Sequence, residues 1–304
     1  MSGYHIPVML NECLEGLHIN PDGIYVDVTF GGGGHSKAIL NKLSNKGKLI
    51  AFDQDEDAKR NLPDDKRLIF IDQNFEFIKN HIRYQGFEKV DGILADLGVS
   101  SHQFDEGSRG FSYRFEEAQL DMRMNNTSGV SAAEYLNKSD EETIAQTLFL
   151  YGELNKSRAM AKQIVAYRQR KPFETIADLK TAMQGFAPKF NDYKFWSQVF
   201  QALRIEVNKE LDVLKHMLEA TTDLLKPGGR LVVMSYHSLE DRLVKNFVNT
   251  GNFEGKQEKD FYGNVLAPFK VLAKKATVAS EDEINVNPRA RSAKLRIAER
   301  INGQ

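Results

Sequence analysis

The sequence predicts an α/β protein whose mostly parallel sheet is interrupted by a wholly helical insert. Short apolar runs alternate with helix-periodic segments up to about residue 104, and the same alternation returns after about residue 205. Between these points the strand pattern is absent. Alternating strands and helices are typical of a parallel sheet covered on both faces. We therefore expect a sheet domain made of residues 1–104 and 205–304, and an inserted helical domain of residues 105–204.

The first predicted strand, Ile24–Thr29, leads into four consecutive glycines, Gly31–Gly34. The glycines come close to the pattern G-x-G-x-x-G, but Ser36 stands where the third glycine would be. A helical pattern follows Ser36. Glycines between a strand and a helix let a ligand approach the backbone, and the helix offers free N–H groups to it. A tight turn without a ligand would have the same sequence.

The second predicted strand ends at Asp53, twenty positions after Gly33. In a nucleotide-binding fold this spacing places a carboxylate where it accepts both hydroxyls of a ribose. The pattern therefore favours a cofactor that contains adenosine, and both NAD and S-adenosylmethionine satisfy it. A solvated carboxylate at a strand end is the alternative.

Two further predicted strands, Leu68–Asp72 and Val90–Leu97, are followed by or end in side chains suited to a ligand site. Phe75 comes shortly after the third strand, and Asp96 lies near the end of the fourth. Because ligands of open α/β sheets bind beyond the carboxyl ends of the strands, we expect the glycines, Asp53, Phe75 and Asp96 to line one cleft.

The predicted insert contains helix signals throughout. Helix-periodic sequence covers residues 157–171 and 193–203, and the second stretch has its apolar side chains on one side. Three stretches also match the capping box that begins helices. They are Ser131-x-x-Glu134, Ser139-x-x-Glu142 and Thr175-x-x-Asp178.

An irregular stretch of about thirty residues, 101–129, joins the sheet to these helices. Its aromatic and arginine residues alternate in a way that suggests stacking on unpaired bases and contact with phosphates. They are Phe104, Arg109, Phe111, Tyr113, Arg114, Phe115 and Arg123. A loop packed by its own aromatic side chains is the equal alternative.

Beyond the insert, a long helix and a Pro-Gly-Gly turn precede a predicted fifth strand, Arg230–Ser235. Ser238 and Asp241 match a capping box, which leaves His237 as a candidate catalytic group. A Ser-His-Asp hydrolase is disfavoured because the chain has no G-x-S-x-G motif. Residues 269–276 and 292–301 suggest an antiparallel hairpin at the sheet edge, whose basic face would be extended by Arg289 and Arg291.

Composition limits the class of protein. The 304 residues are 41% hydrophobic and carry a formal net charge of −1, so the chain can form a core but has no overall attraction to nucleic acid. The single cysteine, Cys13, excludes an internal disulfide and disfavours a zinc site. Apolar runs are far shorter than the roughly 18 residues of a membrane helix. We expect a cytoplasmic protein without metal or membrane contact, and a homodimer is one possibility.

Several long motifs in this chain are similar to those of the bacterial 16S ribosomal RNA cytosine-N4 methyltransferases. The resemblance runs in order from His5 to Arg296. It rests on HIPVMLNE, DGIYVDVTFGGGGHS, DGILADLGVSS, RGFSYR, LDMRM, FQALRIEVNKEL, LLKPGGRLVVMSYHSLEDRLVK and NPRARSAKLR. It implies a Rossmann-like fold of the class I S-adenosylmethionine-dependent methyltransferases, with an inserted domain. The implied substrate is a cytidine in the decoding region of the small ribosomal subunit.

The resemblance also assigns expected roles to residues. Expected cofactor contacts are Gly33, Gly34, His35, Asp53, Phe75, Asp96 and Gln103. Candidates for RNA contact are Arg109, Phe111, Tyr113, Arg204, Tyr236, Arg289 and Arg291. We expect the inserted helices and the loop around Arg109 to supply RNA recognition.

The chemistry of an exocyclic amine singles out Asp96. Methylation of a pyrimidine ring carbon commonly needs a cysteine nucleophile, and Cys13 is remote from every predicted strand end. An amine instead needs an acceptor for its N–H groups, and Asp96 is the candidate. The motif DLGV at this point lacks the prolines and the aromatic residue common in amino-methylating DNA enzymes. The ring that stacks on the base must then come from elsewhere, with Phe111, Tyr113 and Tyr236 as options.

Two other classes of protein share parts of this pattern. A nicotinamide-dependent oxidoreductase would have the glycine turn and Asp53, but it would not account for KPGGRLVVMSYHSLEDR. A ribosome-binding protein with a relic cofactor pocket would have the same basic and aromatic residues.

Overall fold

The computed structural model describes residues 7–263 and 265–301, with the side chains of Ser101 and His102 left out. It divides into two compact units. The first consists of Met1–Gly98 and Leu211–Gln304, and the second of Val99–Glu210. The boundaries expected from the sequence, near residues 105 and 204, both lie inside the second unit. His5, where the family resemblance begins, is outside the described residues.

The first unit contains one sheet. In the described residues its strands are β1 Ile24–Asp27, β2 Lys48–Phe52, β3 Leu68–Ile71, β4 Val90–Asp96, β5 Leu225–Ser235, β6 Phe269–Val271 and β7 Lys294–Arg300. Their spatial order is β3-β2-β1-β4-β5-β7-β6. The first five strands are parallel, and β7 pairs antiparallel with both β5 and β6. The predicted mostly parallel sheet is confirmed.

The described helices are numbered along the whole chain. They are α1 Leu10–Leu17, α2 Gly34–Lys42, α3 Ile78–Tyr84, α4 Ser101–Asp105, α5 Ala132–Lys138, α6 Glu141–Leu150, α7 Ser157–Arg168, α8 Ile176–Met183, α9 Tyr193–Asn208, α10 Glu210–Leu224, α11 Ser238–Thr250 and α12 Glu281–Val286. None of the helices in the described ranges has both the length and the apolar character needed to cross a membrane.

Successive side chains of a strand point to opposite faces of the sheet, and apolar side chains therefore form a hydrophobic core on each face. In β5, Val233 packs in a cluster with residues of α3, α10 and α11, such as Phe247. Its neighbour Val232 packs in a second cluster with residues of α1 and α2, such as Ile39. Cys13 is fully buried in this second cluster, so the expectation that it is a core residue is confirmed. Burial, and next the charge of Asp96, raise the pKa of its thiol well above the usual value, so the expectation that Cys13 is remote from every strand end is wrong.

Parallel pairing brings the carboxyl ends of the central strands to one edge of the sheet. Asp27, the last residue of β1, is level with Ala51 of β2 and with Leu94 of β4. In the sheet, β2 and β3 lie on one side of β1, whereas β4 lies on the other side. The strand order therefore reverses at β1. Such a reversal creates a crevice at the carboxyl edge, where ligands of this architecture bind.

The third and fourth strands each end one residue earlier than predicted, and three other strand predictions need a larger correction. The first strand ends at Asp27 rather than Thr29. The Pro-Gly-Gly turn lies inside β5 as a bulge, because Leu225 pairs with Val90 and Arg230 resumes pairing at Gly92. Gly228 has φ of 81° there, a left-handed conformation that favours glycine. The last two strands do form an antiparallel pair, but residues 272–293, which include α12, separate them, so they are no tight hairpin.

The second unit has its own hydrophobic core, formed by side chains of α5 to α9 and of the loop before them. Helix α9 covers the predicted stretch 193–203, and the apolar residues expected on one of its sides are all buried. They are Phe195, Val199, Phe200 and Leu203. The capping boxes at Ser131 and Thr175 are both present, since each side chain accepts the predicted backbone N–H.

The predicted capping box at Ser139 is wrong by one residue. Asp140 is the N-cap of α6, and its carboxylate accepts the backbone N–H of Thr143 at 2.8 Å. Ser139 instead ends α5. The carboxylate is the better acceptor for an exposed helix N-terminus because its charge also interacts favourably with the helix dipole.

The loop before α5 is packed by its own side chains. Phe111 is buried, and the guanidinium of Arg114 lies 5.5 Å from the ring centre of Phe104. Arg109 is 8% exposed, and its Nη2 donates to the carbonyl oxygens of Arg123 and Met124 at 3.2 and 2.9 Å. These contacts favour the interpretation of this loop as one that is packed by its own aromatic side chains.

Candidate active site

The glycine turn is tied to the neighbouring strand by a carboxylate. Asp53 follows β2, and its Oδ2 accepts the backbone N–H of Gly31 at 2.7 Å. Its Oδ1 accepts the backbone N–H of Asp55 at 2.9 Å. Burial raises the pKa of Asp53 to about 6. The predicted proximity of the turn and this carboxylate is thus present in the structure.

The turn needs glycine at two positions for its backbone conformation and at a third for packing. Gly31 and Gly33 have φ of 50° and 74°, in the left-handed region where other residues are strained. Gly33 is the N-cap of α2 and has no capping side chain. A side chain on Gly32 would meet no atom within 4 Å, so open space lies beside the turn. A side chain on Gly34 would come within 2.3 Å of Pro7, so close packing requires glycine there.

Asp27 was not singled out from the sequence, although it stands at the end of a strand like Asp53 and Asp96. It is fully buried, and its Oδ2 accepts the hydroxyl of Ser36 at 2.7 Å. Burial raises its pKa. The bond explains why serine replaces the third glycine of the pattern, because Ser36 fastens α2 to the end of β1.

Asp96 is held from three sides at the end of β4. Its backbone N–H donates to Thr29 Oγ1 at 2.7 Å, and its Oδ1 accepts the hydroxyl of Tyr236 at 2.8 Å. Its Oδ2 lies 3.7 Å from Nδ1 of His35. Burial raises the pKa of Asp96 to about 6, against the opposing effects of His35 and Tyr236. The side chain keeps 23% exposure, so it is not sealed inside the protein.

His35 is a buried residue in the first turn of α2. Its Nε2 lies 3.1 Å from the carbonyl oxygen of Val8. A carbonyl only accepts, so Nε2 carries a proton and Nδ1 is the nitrogen that faces Asp96.

Phe75 lies after β3, as predicted, in a short 3₁₀ turn whose N-cap is Asn74. Its ring is partly buried against the sheet. Asn74 Nδ2 donates to Gln54 Oε1 at 3.1 Å, which joins the loops after β2 and β3. Gln103, the remaining expected cofactor contact, belongs to the second unit, where its Oε1 accepts the backbone N–H of Ser100 at 3.0 Å.

The region after β5 differs from the predicted one. His237, not Ser238, is the N-cap of α11, and its Nδ1 faces the backbone N–H of Glu240 at 3.5 Å. Asp241 is no capping residue, since it accepts from Arg296 at 2.7 Å. The side chain of His237 is 9% exposed, with Nε2 3.2 Å from Glu240 Oε1. Nδ1 thus caps α11, whereas the buried Nε2 has no hydrogen-bond partner among the described residues, and the catalytic role of His237 stays a prediction.

Several RNA-contact candidates have other partners in the structure. Arg109 and Phe111 belong to the core of the second unit, as described above. Arg204 forms a two-point ion pair with Glu210, at 2.7 and 3.0 Å. Tyr236 donates its hydroxyl to Asp96 at 2.8 Å, and the role of its ring in stacking stays a prediction. Burial and the nearby charge of Asp96 raise its pKa.

The other candidates remain accessible to different degrees. Tyr113 is partly buried and meets Phe200 edge to face at 5.8 Å. Arg289 and Arg291 lie in the 3₁₀ turn Pro288–Ser292, with Arg291 exposed and Arg289 partly buried. The positive charge of the basic face expected on β7 is partly balanced, because Arg296 and Lys294 both lie within ion-pair distance of Asp241.

The strand order and the acidic carboxyl edge define the Rossmann-like fold of the class I methyltransferases. Residues 2–301 match the model of a family described as the MraW methylase family. The chain therefore belongs to the MraW methylase family and is a methyltransferase. This membership excludes the nicotinamide-dependent oxidoreductase that the sequence pattern left open.

Named relatives are similar over nearly their whole length. The ribosomal RNA small subunit methyltransferase H of Parabacteroides distasonis is 56% identical over 301 residues, which cover 99% of this chain and 98% of the relative. The protein of the same name from Flavobacterium johnsoniae is 53% identical, with 98% of each chain covered. A solved rRNA methylase from Streptococcus thermophilus covers 96% of this chain and 94% of its own, at 13% identity and a TM-score of 0.41.

Proposed function

We propose that this protein transfers a methyl group from S-adenosylmethionine to the N4 amine of a cytidine in the decoding region of 16S ribosomal RNA. The substrate class is supported by the names of the relatives, which are small-subunit ribosomal RNA methyltransferases at 52–56% identity. The amine as acceptor is supported by the position of Asp96 and by the motifs of the chain. Such a substrate implies action in the cytoplasm, on the RNA of the small ribosomal subunit.

The residues at the carboxyl edge fit S-adenosylmethionine. Each oxygen of Asp53 accepts one backbone N–H, and a carboxylate oxygen has a second acceptor position, so both can receive ribose hydroxyls. The open space beside Gly32 allows a ligand to pass over the turn. Phe75 offers a partly buried aromatic surface at the neighbouring strand end. When bound, S-adenosylmethionine supplies a methyl group on an electrophilic sulfonium.

The observation that carries the proposed chemistry is the fixed carboxylate of Asp96. An ionised carboxylate accepts N–H groups and donates none, so Asp96 can hold the amino group of cytosine with its lone pair directed at the methyl carbon. Tyr236 and His35 restrict the carboxylate to one orientation, which is the kind of positioning that accelerates an in-line displacement. No nucleophilic side chain is required, since the amine itself attacks.

Asp96 is proposed to work in its ionised form. Because its pKa is raised to about 6, the carboxylate is mostly ionised at neutral pH and becomes protonated below pH 6. A protonated Asp96 loses acceptor capacity toward the amine. The proton that the amine releases after methylation can pass to Asp96, whose raised pKa makes it a better base than an exposed carboxylate.

The proposal is tested by mass spectrometry of nucleosides after incubation of the purified protein with small ribosomal subunits and isotopically labelled S-adenosylmethionine. We expect labelled N4-methylcytidine, and none from Asp96→Asn, in which the amide presents an N–H to the amine. Calorimetry with S-adenosylmethionine would show whether Asp96→Asn still binds the cofactor. Label in 5-methylcytidine, or no label from the wild-type protein, would refute the proposal.

A further inference from the structure

An exposed aromatic turn lies between α11 and β6. The backbone N–H of Leu266 donates to the carbonyl of Glu258 at 2.8 Å, and Lys259 pairs antiparallel with Val265. The backbone N–H of Gly263 donates to the carbonyl of Asp260 at 3.0 Å, which closes the turn. We call residues 258–263 and 265–266 the aromatic hairpin.

Two aromatic side chains stand at the tip of the aromatic hairpin. Phe261 is 98% exposed and Tyr262 is 86% exposed, and their rings meet edge to face at 5.8 Å. The local backbone is ordered by its own bonds, since Asp260 Oδ1 accepts the N–H of Tyr262 at 2.8 Å. Gly263 has φ of 88°, which permits the tight turn. Two adjacent, fully exposed rings on an ordered turn indicate a surface that binds a partner.

The stretch of sequence that contains the aromatic hairpin is basic, in a chain whose net charge is −1, although the hairpin itself carries Glu258 and Asp260 beside Lys259. Between residues 251 and 276 there are five lysines and three acidic residues, a local charge of +2. The lysines are all exposed: Lys256, Lys259, Lys270, Lys274 and Lys275. Exposed aromatic rings among lysines are typical of surfaces that stack on unpaired bases and contact the phosphates beside them.

The aromatic hairpin is at the opposite edge of the sheet from Asp96. β7 runs antiparallel to β5, and Glu299 pairs with Arg230 near the start of the regular part of β5. Phe269, the first residue of β6, pairs with Arg300 at the same edge. The hairpin directly precedes Phe269, so it lies at the amino-terminal edge. At about 3.3 Å per residue, the strand between Arg230 and Ser235 alone separates the edges by roughly 17 Å.

We propose that the aromatic hairpin binds unpaired nucleotides of the ribosomal RNA substrate, at a second contact remote from the methylated base. Phe261 and Tyr262 stack on bases, while Lys256 and Lys259 contact phosphates. This inference rests on the proposed RNA substrate. A substrate as large as a ribosomal subunit can span both edges of the sheet, and a distant anchor restricts its orientation before the target base enters the crevice.

The first experiment removes the rings. The double variant Phe261→Ala with Tyr262→Ala should raise the Kd for small ribosomal subunits, and the KM for them, by roughly tenfold to a hundredfold. The kcat and the affinity for S-adenosylmethionine should stay at wild-type values, because the hairpin is remote from Asp53 and Asp96. The exchange Phe261→Tyr with Tyr262→Phe keeps both rings and should bind like the wild type.

A matched control distinguishes the loss of stacking at the aromatic hairpin from the loss of an exposed ring elsewhere on the surface. Tyr84 is 86% exposed on the first unit, as Tyr262 is, but it lies on α3. Tyr84→Ala should leave the Kd and KM for the subunit unchanged. Thermal unfolding of each variant checks that the fold is intact.

The second experiment tests the phosphate contacts. The logarithm of the binding constant should fall with the logarithm of salt concentration, and Lys256→Gln with Lys259→Gln should reduce that slope by about 1.4. Tyr84→Ala should leave the slope at the wild-type value.

Distinct outcomes decide the inference. An unchanged KM and Kd in the ring-deleted variant would overturn it, provided that the wild-type protein methylates the subunit. Sedimentation that shows loss of self-association in this variant, with RNA affinity unchanged, would identify the hairpin as a protein contact and also overturn it. If the wild-type protein fails to methylate RNA, the proposed function fails, and the hairpin is then judged by subunit binding alone.

Discussion

At the residue scale, the fixed carboxylate of Asp96 connects the geometry to the chemistry. The bond from the hydroxyl of Tyr236 stabilises the charged form of Asp96 and opposes the effect of burial. Tyr236 is therefore a positioning residue for Asp96. The sequence predicts Tyr236 only as one of three options for the stacking ring, because it shows that Tyr236 follows a strand but not which atom its hydroxyl contacts.

Tyr236→Phe should shift the pH dependence of methyl transfer. The lost hydrogen bond removes a stabilising contact from the charged carboxylate, so the pKa of Asp96 should rise further above about 6. The proposed mechanism needs the ionised form, and hence the acid limb of the kcat/KM profile should move to higher pH. The variant should be impaired more at pH 6.5 than at pH 8.5. Identical profiles for the wild type and Tyr236→Phe would contradict the role of this bond.

Asp53→Ala should weaken the binding of S-adenosylmethionine. The change removes acceptors for two hydroxyls and also frees the backbone N–H of Gly31, so we expect the Kd to rise roughly a hundredfold. Because the pKa of Asp53 is about 6, wild-type affinity should also fall as the pH drops below 6. Calorimetry from pH 5 to 8 measures both effects. Asp72→Ala, at an exposed ion pair after β3, is the control and should bind normally.

At the scale of elements, the N-caps of α5 and α8 were predicted correctly, whereas those of α6 and α11 were not. Ser131 and Thr175 are followed by the expected acid and have no capping neighbour. At α6, Ser139 and Asp140 are adjacent, and either could have been the N-cap by sequence. At α11 the predicted box is wrong because the carboxylate of Asp241 accepts from Arg296 of β7.

The assignment of the α6 cap can be tested with adjacent substitutions. Asp140→Ala removes the acceptor for the N–H of Thr143 and should lower the Tm by about 2 °C. Ser139→Ala removes no cap of α6 and should change the Tm much less. Thermal unfolding followed by circular dichroism measures both variants. A larger effect from Ser139→Ala would restore the original prediction.

At the scale of the whole molecule, the chain builds separate cores for its two units. All of the buried side chains that form the helical core lie between Val99 and Glu210. The sheet clusters consist only of residues outside that range. A segment with a complete core of its own can fold alone.

We therefore expect residues 99–210 to fold as an isolated fragment. Its helical circular dichroism should be lost in one cooperative thermal transition, as for a small two-state domain. The variant Phe173→Ala should lower the stability of the fragment by about 3 to 5 kcal/mol, because this ring is fully buried in the helical core. A fragment that melts without cooperativity would show that its core depends on the rest of the chain.

The family motifs and the local periodicities were sufficient to predict the parallel sheet, the helical insert, and the placement of Asp53 and Asp96 at strand ends. Strand alternation and glycine spacing are local properties, so the sequence determines them by itself. Only the tertiary structure decided which polar groups meet: Ser36 with Asp27, Tyr236 with Asp96, and Arg109 with backbone carbonyls inside a core. Each of these contacts depends on tertiary packing. Whether a cation faces RNA or a carbonyl depends on the same packing, which no local sequence pattern records.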